Sequence, residues 1–258
     1  MVFEFDGKKY SEASAHQKEW GSRLIEELDL RGNERILDLG CGDGELTASL
    51  ARLVPSGKVV GIDASSGMVD EALKKQAGNL HFFLMDINQI NFTGEFDLIF
   101  SNATLHWVLD HKRLLFNLKR ALRVNGVLRL NFGGDGNCAN FMRVINEAMR
   151  HGKYAQYFDG FVWPWYMPSV EEYRSLMEQA SFQEVHVWDE NADRFFPDSK
   201  ALVKWIDQPS IVPFLASVGE EDSTGFREFV ISRMLEETTQ ADGRCFETFR
   251  RINVFARK

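Results

Sequence analysis

R-I-L-D-L-G-C-G-D-G, residues 35–44, is the stretch that decides the fold. Its apolar residues Ile36, Leu37 and Leu39 form a short run typical of a buried parallel strand. Glycines follow at alternate positions, where glycine tolerates positive φ and lets a ligand approach the bare backbone. Residues 45–53 then place leucines at helical spacing. The stretch therefore predicts a strand, a glycine turn and a helix.

The glycine turn suits a ligand that carries a nucleoside at the carboxyl end of a strand. A dinucleotide is the first candidate, but its fingerprint needs a small third residue for close helix packing, and Glu45 holds that place. Asp38 stands two positions before Gly40, and a carboxylate there repels a pyrophosphate but attracts an ammonium group. The residues therefore favour a cationic amino acid joined to a nucleoside, and a dehydrogenase becomes a distant alternative.

The segment D-L-G-C-G-D-G, residues 38–44, resembles motif I of the class I, Rossmann-like S-adenosylmethionine-dependent methyltransferases. This resemblance implies an α/β fold with a seven-stranded, mostly parallel sheet, helices on both faces and a helical cap inserted after strand 5. It also implies S-adenosyl-L-methionine as cofactor and S-adenosyl-L-homocysteine as product. The residues expected around the methionyl end are Asp38, Gly40, Cys41, Gly42 and Gly44.

Two acids after later strands extend the expected cofactor site. Asp63 ends the second strand 23 residues after Gly40, a distance at which an acid can accept hydrogen bonds from both ribose hydroxyls. The alternative for Asp63 is a helix N-cap. Asp86 follows the third apolar run, where the resemblance implies a bond from the adenine amino group, with an ordinary surface acid as the alternative. The remaining expected cofactor contacts are Ala64, Met68, Ile87, Asn102 and Ala103.

The fourth strand leads into F-D-L-I-F-S-N-A-T-L-H-W, residues 96–107. This pattern is similar to methyltransferases of small carboxylic acids, notably trans-aconitate methyltransferases and the juvenile hormone acid methyltransferases of insects. The end of strand 4 faces the methyl group in this fold, so the candidate catalytic residues are His106, Trp107 and Gln17, although a lone His or Trp is more often part of a core. The candidate substrate-binding residues are Tyr10, Gln17, Trp107, Trp163, Trp165 and Tyr166.

The composition is that of an ordinary globular protein, with 258 residues, 44% of them hydrophobic and 26% charged. A formal charge of −8 disfavours nucleic acid as a partner, and no apolar run is long enough to span a membrane. Three cysteines without C-x-x-C spacing favour neither a disulfide framework nor a metal site. We therefore expect a cytoplasmic monomer or weak homodimer that binds no metal and acts on a small-molecule acceptor.

The order of these elements predicts how the chain is divided. A helix is expected over residues 10–30 and a bulged strand over residues 182–196. The expected domains are an N-terminal helix covering the cofactor site (1–33), the cofactor-binding core (34–135), a substrate cap with late core elements (136–240) and the final strand of the core sheet (241–258).

The chemistry implied by this resemblance needs little from the protein beyond positioning and exclusion of water. A carboxylic acid with a pKa of about 4 is already ionised at neutral pH, so its methylation needs no general base. The predicted function is O-methylation of the carboxylate of a small or fatty organic acid. The alternatives are a C- or N-methyltransferase, an acyl-carrier-protein ester methyltransferase, and a non-catalytic regulator that keeps motif I but lacks a substrate cavity.

Overall fold

The strands of the main sheet are apolar runs that end in polar or glycine turns. A strand that is buried on both faces needs apolar residues along its whole length. The structure is a computed structural model that describes Glu4 and residues 15–258. Its parallel strands are β1 (Arg35–Leu39), β2 (Lys58–Asp63), β3 (Leu80–Leu84), β4 (Phe96–Asn102) and β5 (Leu122–Gly133). The sheet is completed by β6 (Gln183–Asn191) and by β9 (Arg250–Arg257), which is antiparallel to β5, in the order β3-β2-β1-β4-β5-β9-β6.

Successive residues of β1 point to opposite faces of the sheet, and both faces are packed. Ile36 belongs to an apolar cluster that includes residues of the helices next to β1, whereas Leu37 and Leu39 belong to a second cluster. The helices that accompany the sheet are α1 (Ala15–Glu26), α2 (Glu45–Leu53), α3 (Ser66–Leu73), α4 (His111–Ala121) and α6 (Val170–Gln179). The predicted α/β, Rossmann-like fold class is confirmed.

The chain divides into two compact units. The first contains the described residues up to Asp135 together with Trp165–Glu190 and Arg251–Lys258, and the second contains Gly136–Pro164 and Asn191–Arg250. The second unit consists of α5 (Ala139–Arg150), α7 (Ser199–Trp205), α8 (Val212–Leu215), α9 (Glu220–Thr238) and the antiparallel pair β7 (Arg194–Phe196) and β8 (Cys245–Glu247). Its own core is aromatic, with Phe141, Phe214 and Phe226 fully buried.

The C-terminal segment differs from the expected single strand over residues 241–258. It contains β8, which pairs with β7 in the second unit, and β9, which pairs with β5 in the first. The strand is interrupted because the buried Glu247 carboxylate caps α5, where Oε1 accepts from the backbone N–H of Asn140 at 3.1 Å and Oε2 from that of Phe141 at 2.9 Å. A carboxylate is favourable at this end of a helix because the free N–H groups there carry partial positive charge.

Other boundaries also differ from expectation. The strand expected over 182–196 is split into β6 and β7, because the N–H of Asp193 turns back to the side-chain oxygen of Asn191 at 3.1 Å. Within the span 136–240, expected to hold the substrate cap and late core elements, residues 165–190 with α6 and β6 belong to the first unit. The helix expected over 10–30 is described from Ala15 and ends at Glu26.

A buried chain of hydrogen bonds fixes the turn Leu105–Trp107, which follows β4. The His111 ring, buried at the start of α4, lies 3.0 Å from the Leu105 carbonyl through Nε2 and 3.1 Å from the Tyr173 hydroxyl through Nδ1. The carbonyl can only accept, so Nε2 carries the proton and Nδ1 accepts from Tyr173. Burial lowers the pKa of His111 to about 4, so the ring is neutral near pH 7. The turn is therefore tied to both α4 and α6.

We expect Tyr173→Phe to destabilise the protein, because it leaves the buried Nδ1 of His111 without its donor. A buried acceptor left unpaired costs roughly 1–3 kcal/mol in the free energy of unfolding, which urea denaturation measures. The control is Tyr157→Phe, which removes a hydroxyl bonded to acids near the surface of the second unit and should cost less than about 0.5 kcal/mol. Equal stability of Tyr173→Phe and the unmodified protein would contradict this role of the hydroxyl.

Candidate active site

The glycine turn after β1 brings the backbone close to the end of β4. Gly40 has a φ of +70°, and a Cβ added there would lie 2.1 Å from the side chain of Thr104. Gly42 has a φ of +54°, but a Cβ added there would meet nothing within 4 Å. Gly40 is therefore required by packing within the protein, whereas the backbone of Gly42 borders open space that a ligand can use.

Asp38 lies beneath this turn and is almost fully buried. Its Oδ2 accepts a hydrogen bond of 2.7 Å from the Thr47 hydroxyl on α2. Burial raises the pKa of Asp38 to about 7, and the nearby negative charge of Asp63 acts in the same direction. The free protein therefore holds a carboxyl group that is only partly ionised at neutral pH.

Asp63 ends β2 beside the same turn. Its two carboxylate oxygens accept bonds of 3.0 Å from the backbone N–H groups of Gly42 and Ser65. The N-cap of α3 is Ser65, whose hydroxyl accepts a hydrogen bond from the Met68 N–H. Ser65, and not Asp63, is therefore the N-cap residue of this helix. Burial raises the pKa of Asp63, as it does for Asp38. The Asp63 carboxylate is thus held in a fixed orientation at the edge of the turn.

Negative charge is concentrated around this turn. Besides Asp38 and Asp63, the turn contains Asp43, which pairs with Lys18 of α1 at 2.7 Å. Burial raises the pKa of the Cys41 thiol well above its ordinary value, and these three carboxylates add to the effect. Cys41 is therefore an unreactive thiol, and the surroundings favour a cationic ligand.

A further carboxylate lies at the start of α3. Glu4 accepts bonds from the Ser65 hydroxyl at 2.7 Å and from the backbone N–H groups of Ser66 at 3.2 Å and Gly67 at 2.8 Å. The sequence contains no signal that links Glu4 to this helix, since the two are about sixty residues apart. The contact places the Glu4 carboxylate beside Ser65, two residues after Asp63.

The residues expected at the adenine follow the neighbouring strands β2 and β3. Asp86 caps the short helical turn Ile87–Gln89 by accepting from the backbone and side-chain amides of Asn88, both at 2.8 Å. Met68 and Ile87 are buried, and Ala64 is half-buried. These positions share the strand edge at which Asp63 lies, while the bond from adenine to Asp86 stays a prediction.

At the end of β4, α1 is tied to the sheet. Asn102 donates from Nδ2 to the backbone oxygen of Gln17 at 2.8 Å. Two buried oxygens, Oδ1 of Asn102 and Oε1 of Gln17, have no hydrogen-bond partner within the part of the chain that the structure describes. The next residue, Ala103, has a φ of +57°, and its N–H donates to the Asn131 oxygen at 2.7 Å. Unpaired acceptors and a left-handed non-glycine residue are features that cluster at ligand sites.

His106 and Trp107 lie on the turn that follows. Nδ1 of His106 accepts from the Gly133 N–H at 3.5 Å, which places the ring proton on Nε2. Burial lowers the pKa of His106 to about 3, and the positive charge of Arg251 acts in the same direction. The ordinary histidine pKa of about 6.5 therefore does not apply to this residue. At neutral pH His106 is an uncharged hydrogen-bond donor.

The aromatic residues expected to bind substrate fall in different places. Trp165 packs edge-on against Trp107 with ring centres 5.5 Å apart, and the Tyr166 N–H donates to the His106 oxygen at 2.8 Å. Trp163 belongs to the second unit, where its ring contacts Phe214. Tyr10 lies outside the described residues.

The residues fit a cationic, nucleoside-bearing ligand. S-adenosyl-L-methionine carries positive ammonium and sulfonium groups, which suit the acids Asp38, Asp43 and Asp63 around the turn. The open space at Gly42 and the unpaired oxygen of Asn102 leave room and an acceptor for such a ligand. The described residues include no group of His, Cys, Asp and Glu side chains that could hold a metal ion. Over the same residues, no helix is both long and apolar enough to cross a membrane.

Comparisons with known proteins agree with this geometry. A family model described as a methyltransferase domain matches residues 36–126. The chain is 29% identical over 252 residues to the trans-aconitate 2-methyltransferase of Escherichia coli, with 96% of each chain covered.

Two solved structures show the same fold. The YcgJ protein of Bacillus subtilis has a TM-score of 0.62 at 16% identity, covering 94% of this chain and 98% of its own. Phosphoethanolamine N-methyltransferase 2 of Haemonchus contortus, in complex with S-adenosyl-L-methionine, has a TM-score of 0.61 at 19% identity, covering 98% of this chain and 56% of its own. The methyltransferase-domain match over residues 36–126, the relationship to trans-aconitate 2-methyltransferases and the order of the sheet together support a class I S-adenosylmethionine-dependent methyltransferase.

Proposed function

We propose that the protein transfers a methyl group to a carboxylate oxygen of a small organic acid. The observation that carries the proposal is the state of His106, which is neutral, with Nδ1 occupied by the Gly133 N–H and the proton on Nε2. A ring in this state donates to an anion but is a poor base, and an ionised carboxylate needs no base. The relationship to a trans-aconitate 2-methyltransferase supports the same acceptor class.

The residues of the glycine turn would hold the cofactor. When bound, S-adenosyl-L-methionine supplies a methyl group already activated by the positive charge on its sulfur. Asp63 would accept hydrogen bonds from the ribose hydroxyls. The negative charge of Asp38 would balance the positive charge of the methionyl part, which the Gly42 backbone would border. The H. contortus enzyme binds the same cofactor on the same fold, which supports this placement.

The end of β4 would hold the acceptor. Nε2–H of His106 would donate to the carboxylate, and the neighbouring rings of Trp107 and Trp165 would exclude water from it. Excluding water strengthens the hydrogen bond and leaves the acceptor oxygen free of solvent. A panel of trans-aconitate, straight-chain dicarboxylic acids and fatty monocarboxylic acids, incubated with labelled cofactor, tests the proposal directly. Labelled methyl esters are expected, and labelled product only from amines, phenols or carbon acids would overturn it.

We expect Asp63→Ala to weaken S-adenosyl-L-methionine binding at least about tenfold. Each lost hydrogen bond to a charged acceptor costs roughly 1.5–3 kcal/mol, and 1.4 kcal/mol corresponds to a factor of ten. Calorimetric titration of the folded variant measures the change. The matched control is Asp70→Ala, which removes an exposed acid on α3 and should leave the affinity unchanged. Unchanged affinity in Asp63→Ala would remove Asp63 from the cofactor site.

Cofactor binding should release protons near neutral pH. Burial raises the pKa of Asp38 to about 7, so part of the free protein holds this carboxyl protonated, and a cationic ligand favours its ionised form. The affinity should therefore rise as the pH increases from about 5.5 to 7. Calorimetry in buffers of different ionisation enthalpy measures the proton release directly. Asp38→Asn should reduce it, and equal release in both proteins would contradict the assignment.

The rate at saturating cofactor should stay nearly flat between about pH 6 and 9. An acceptor acid of pKa about 4 is ionised throughout, and His106, with its pKa lowered to about 3, stays neutral. His106→Asn retains an oxygen for the Gly133 N–H but loses the Nε2 donor, so it should raise KM for the acceptor about tenfold or more. The pH profile of this variant should keep its shape. A rate that climbs steadily with pH would instead indicate an acceptor that must lose a proton.

A further inference from the structure

The turn Leu105–Trp107 carries both residues of the β4 end that are proposed to hold the acceptor. It is a single short helical turn, and the side chain of the residue before it, Thr104, makes no capping hydrogen bond. The Trp107 N–H donates to the Thr104 oxygen at 2.9 Å and the Val108 N–H to the Leu105 oxygen at 3.0 Å. A turn this short closes too few hydrogen bonds of its own to be rigid, so contacts from other elements must fix its orientation.

Among the contacts that hold this turn are three hydrogen bonds from other elements. Nε2 of His111, on α4, donates to the Leu105 oxygen at 3.0 Å. The Tyr166 N–H donates to the His106 oxygen at 2.8 Å, and the Gly133 N–H contacts Nδ1 of His106 at the longer distance of 3.5 Å. Of these three donors, only that of His111 belongs to a side chain. The position of its ring can therefore set the position of the Leu105 carbonyl.

The His111 ring is tightly enclosed. The residue is 3% exposed, and its ring centre lies 4.6 Å from that of Tyr166, 5.3 Å from that of Tyr173 and 5.6 Å from that of Phe132. Its Nδ1 accepts from the Tyr173 hydroxyl at 3.1 Å. A rotation of the ring would break the bonds of both nitrogens and would bring it into collision with these aromatic neighbours. The donor nitrogen is therefore held at a fixed point.

His111 is also excluded as an acid or base of the reaction. Burial lowers its pKa to about 4, and the charges of Asp110 and Glu172, which act in the opposite direction, do not outweigh this effect. The ring is thus neutral at pH 7, with one nitrogen donating and the other accepting inside the protein. Since neither nitrogen is left for an acceptor, any effect of this residue on the reaction must pass through the turn.

Helix α6 supports this arrangement from its other side. Tyr173, on α6, orients the His111 ring through its hydroxyl. Glu172, the residue before it, accepts from the Tyr166 hydroxyl at 2.7 Å, and the backbone of Tyr166 holds the His106 oxygen. Two of the bonds to the turn thus come from residues that the same helix anchors.

We infer that His111 is a positioning residue of methyl transfer. By holding the Leu105 carbonyl, it keeps Nε2–H of His106 and the Trp107 ring in the orientation that the acceptor needs. The inference rests on the proposed function, since it requires that His106 donates to the acceptor carboxylate. In-line transfer is sensitive to small displacements, and a shift of about 1 Å costs roughly a factor of 100 in rate.

The experiment compares His111→Phe with His111→Gln, using the carboxylic acid of the panel above that gives the most methyl ester. Phenylalanine keeps a ring but has no donor for the Leu105 oxygen, so kcat/KM for the acceptor should fall about tenfold to a hundredfold. Glutamine carries an amide donor at the end of its side chain, so His111→Gln should recover part of the loss. The affinity for S-adenosyl-L-homocysteine, measured by calorimetry, should change less than about twofold in both variants.

A double-mutant cycle shows whether His111 acts through the turn. In the His106→Asn background the Nε2 donor is already lost, so adding His111→Phe should lower kcat/KM by a smaller factor than it does in the unmodified protein. His186→Phe, which changes an exposed histidine of β6, is the matched control and should leave kcat/KM unchanged. Ala121→Gly, at the end of α4, should lower the urea midpoint without changing kcat/KM. A loss of the same size in both backgrounds overturns the inference.

The outcomes separate this inference from the proposed function. An unchanged kcat/KM in folded His111→Phe, or a loss of cofactor affinity as large as the loss in kcat/KM, leaves the function standing and removes the positioning role. If His111→Phe does not fold, Tyr173→Phe takes its place, because it releases Nδ1 and should lower kcat/KM in the same direction by a smaller factor. An unchanged kcat/KM in that variant also overturns the inference. If no carboxylic acid of the panel is methylated, the proposed function fails and the role of His111 fails with it.

Discussion

The close approach between Gly40 and Thr104 is the contact on which the geometry of the site depends. β1 and β4 are parallel neighbours, so their carboxyl ends meet at one edge of the sheet. The Thr104 hydroxyl lies 3.2 Å from the Gly40 oxygen, and any side chain at Gly40 would collide with it. This contact sets the separation between the turn that would hold the cofactor and the strand end that would hold the acceptor. A small change there would misplace both partners of an in-line reaction.

The charges of the site are arranged with opposite signs at its two ends. The glycine turn concentrates Asp38, Asp43 and Asp63, whereas His106 is neutral and lies near the cationic Arg251. Negative charge suits a sulfonium donor, and positive charge suits an anionic acceptor. The two reactants would therefore be guided to different parts of the site before any close contact forms. Since burial raises the pKa of Asp38 and Asp63, a cationic ligand at the turn would favour the ionised form of both acids.

The sequence was sufficient to predict the sheet and the turn, because apolar runs, glycines and acids at fixed spacing lie within single short segments. It correctly predicted the fold class, the cofactor and the type of enzyme. It was insufficient wherever a role depends on residues far apart in the chain. The neutral state of His106 follows from burial and from Gly133 and Arg251, and the division of the last strand follows from the capping of α5 by Glu247. Neither relation leaves a local pattern, since the partners meet only in the folded chain.

The place of β9 in the sheet has a consequence for how the protein is made. β9 lies between β5 and β6, although residues 250–257 are synthesised after both. On the ribosome, β5 can pair with β4 early, but its other edge must wait until Arg257 has left the exit tunnel. During that interval β5 presents an unpaired edge of backbone N–H and C=O groups, the kind of surface that pairs with other nascent chains. Completion of the sheet therefore depends on pairs of residues that are far apart in the chain, such as Gly133 with Arg251.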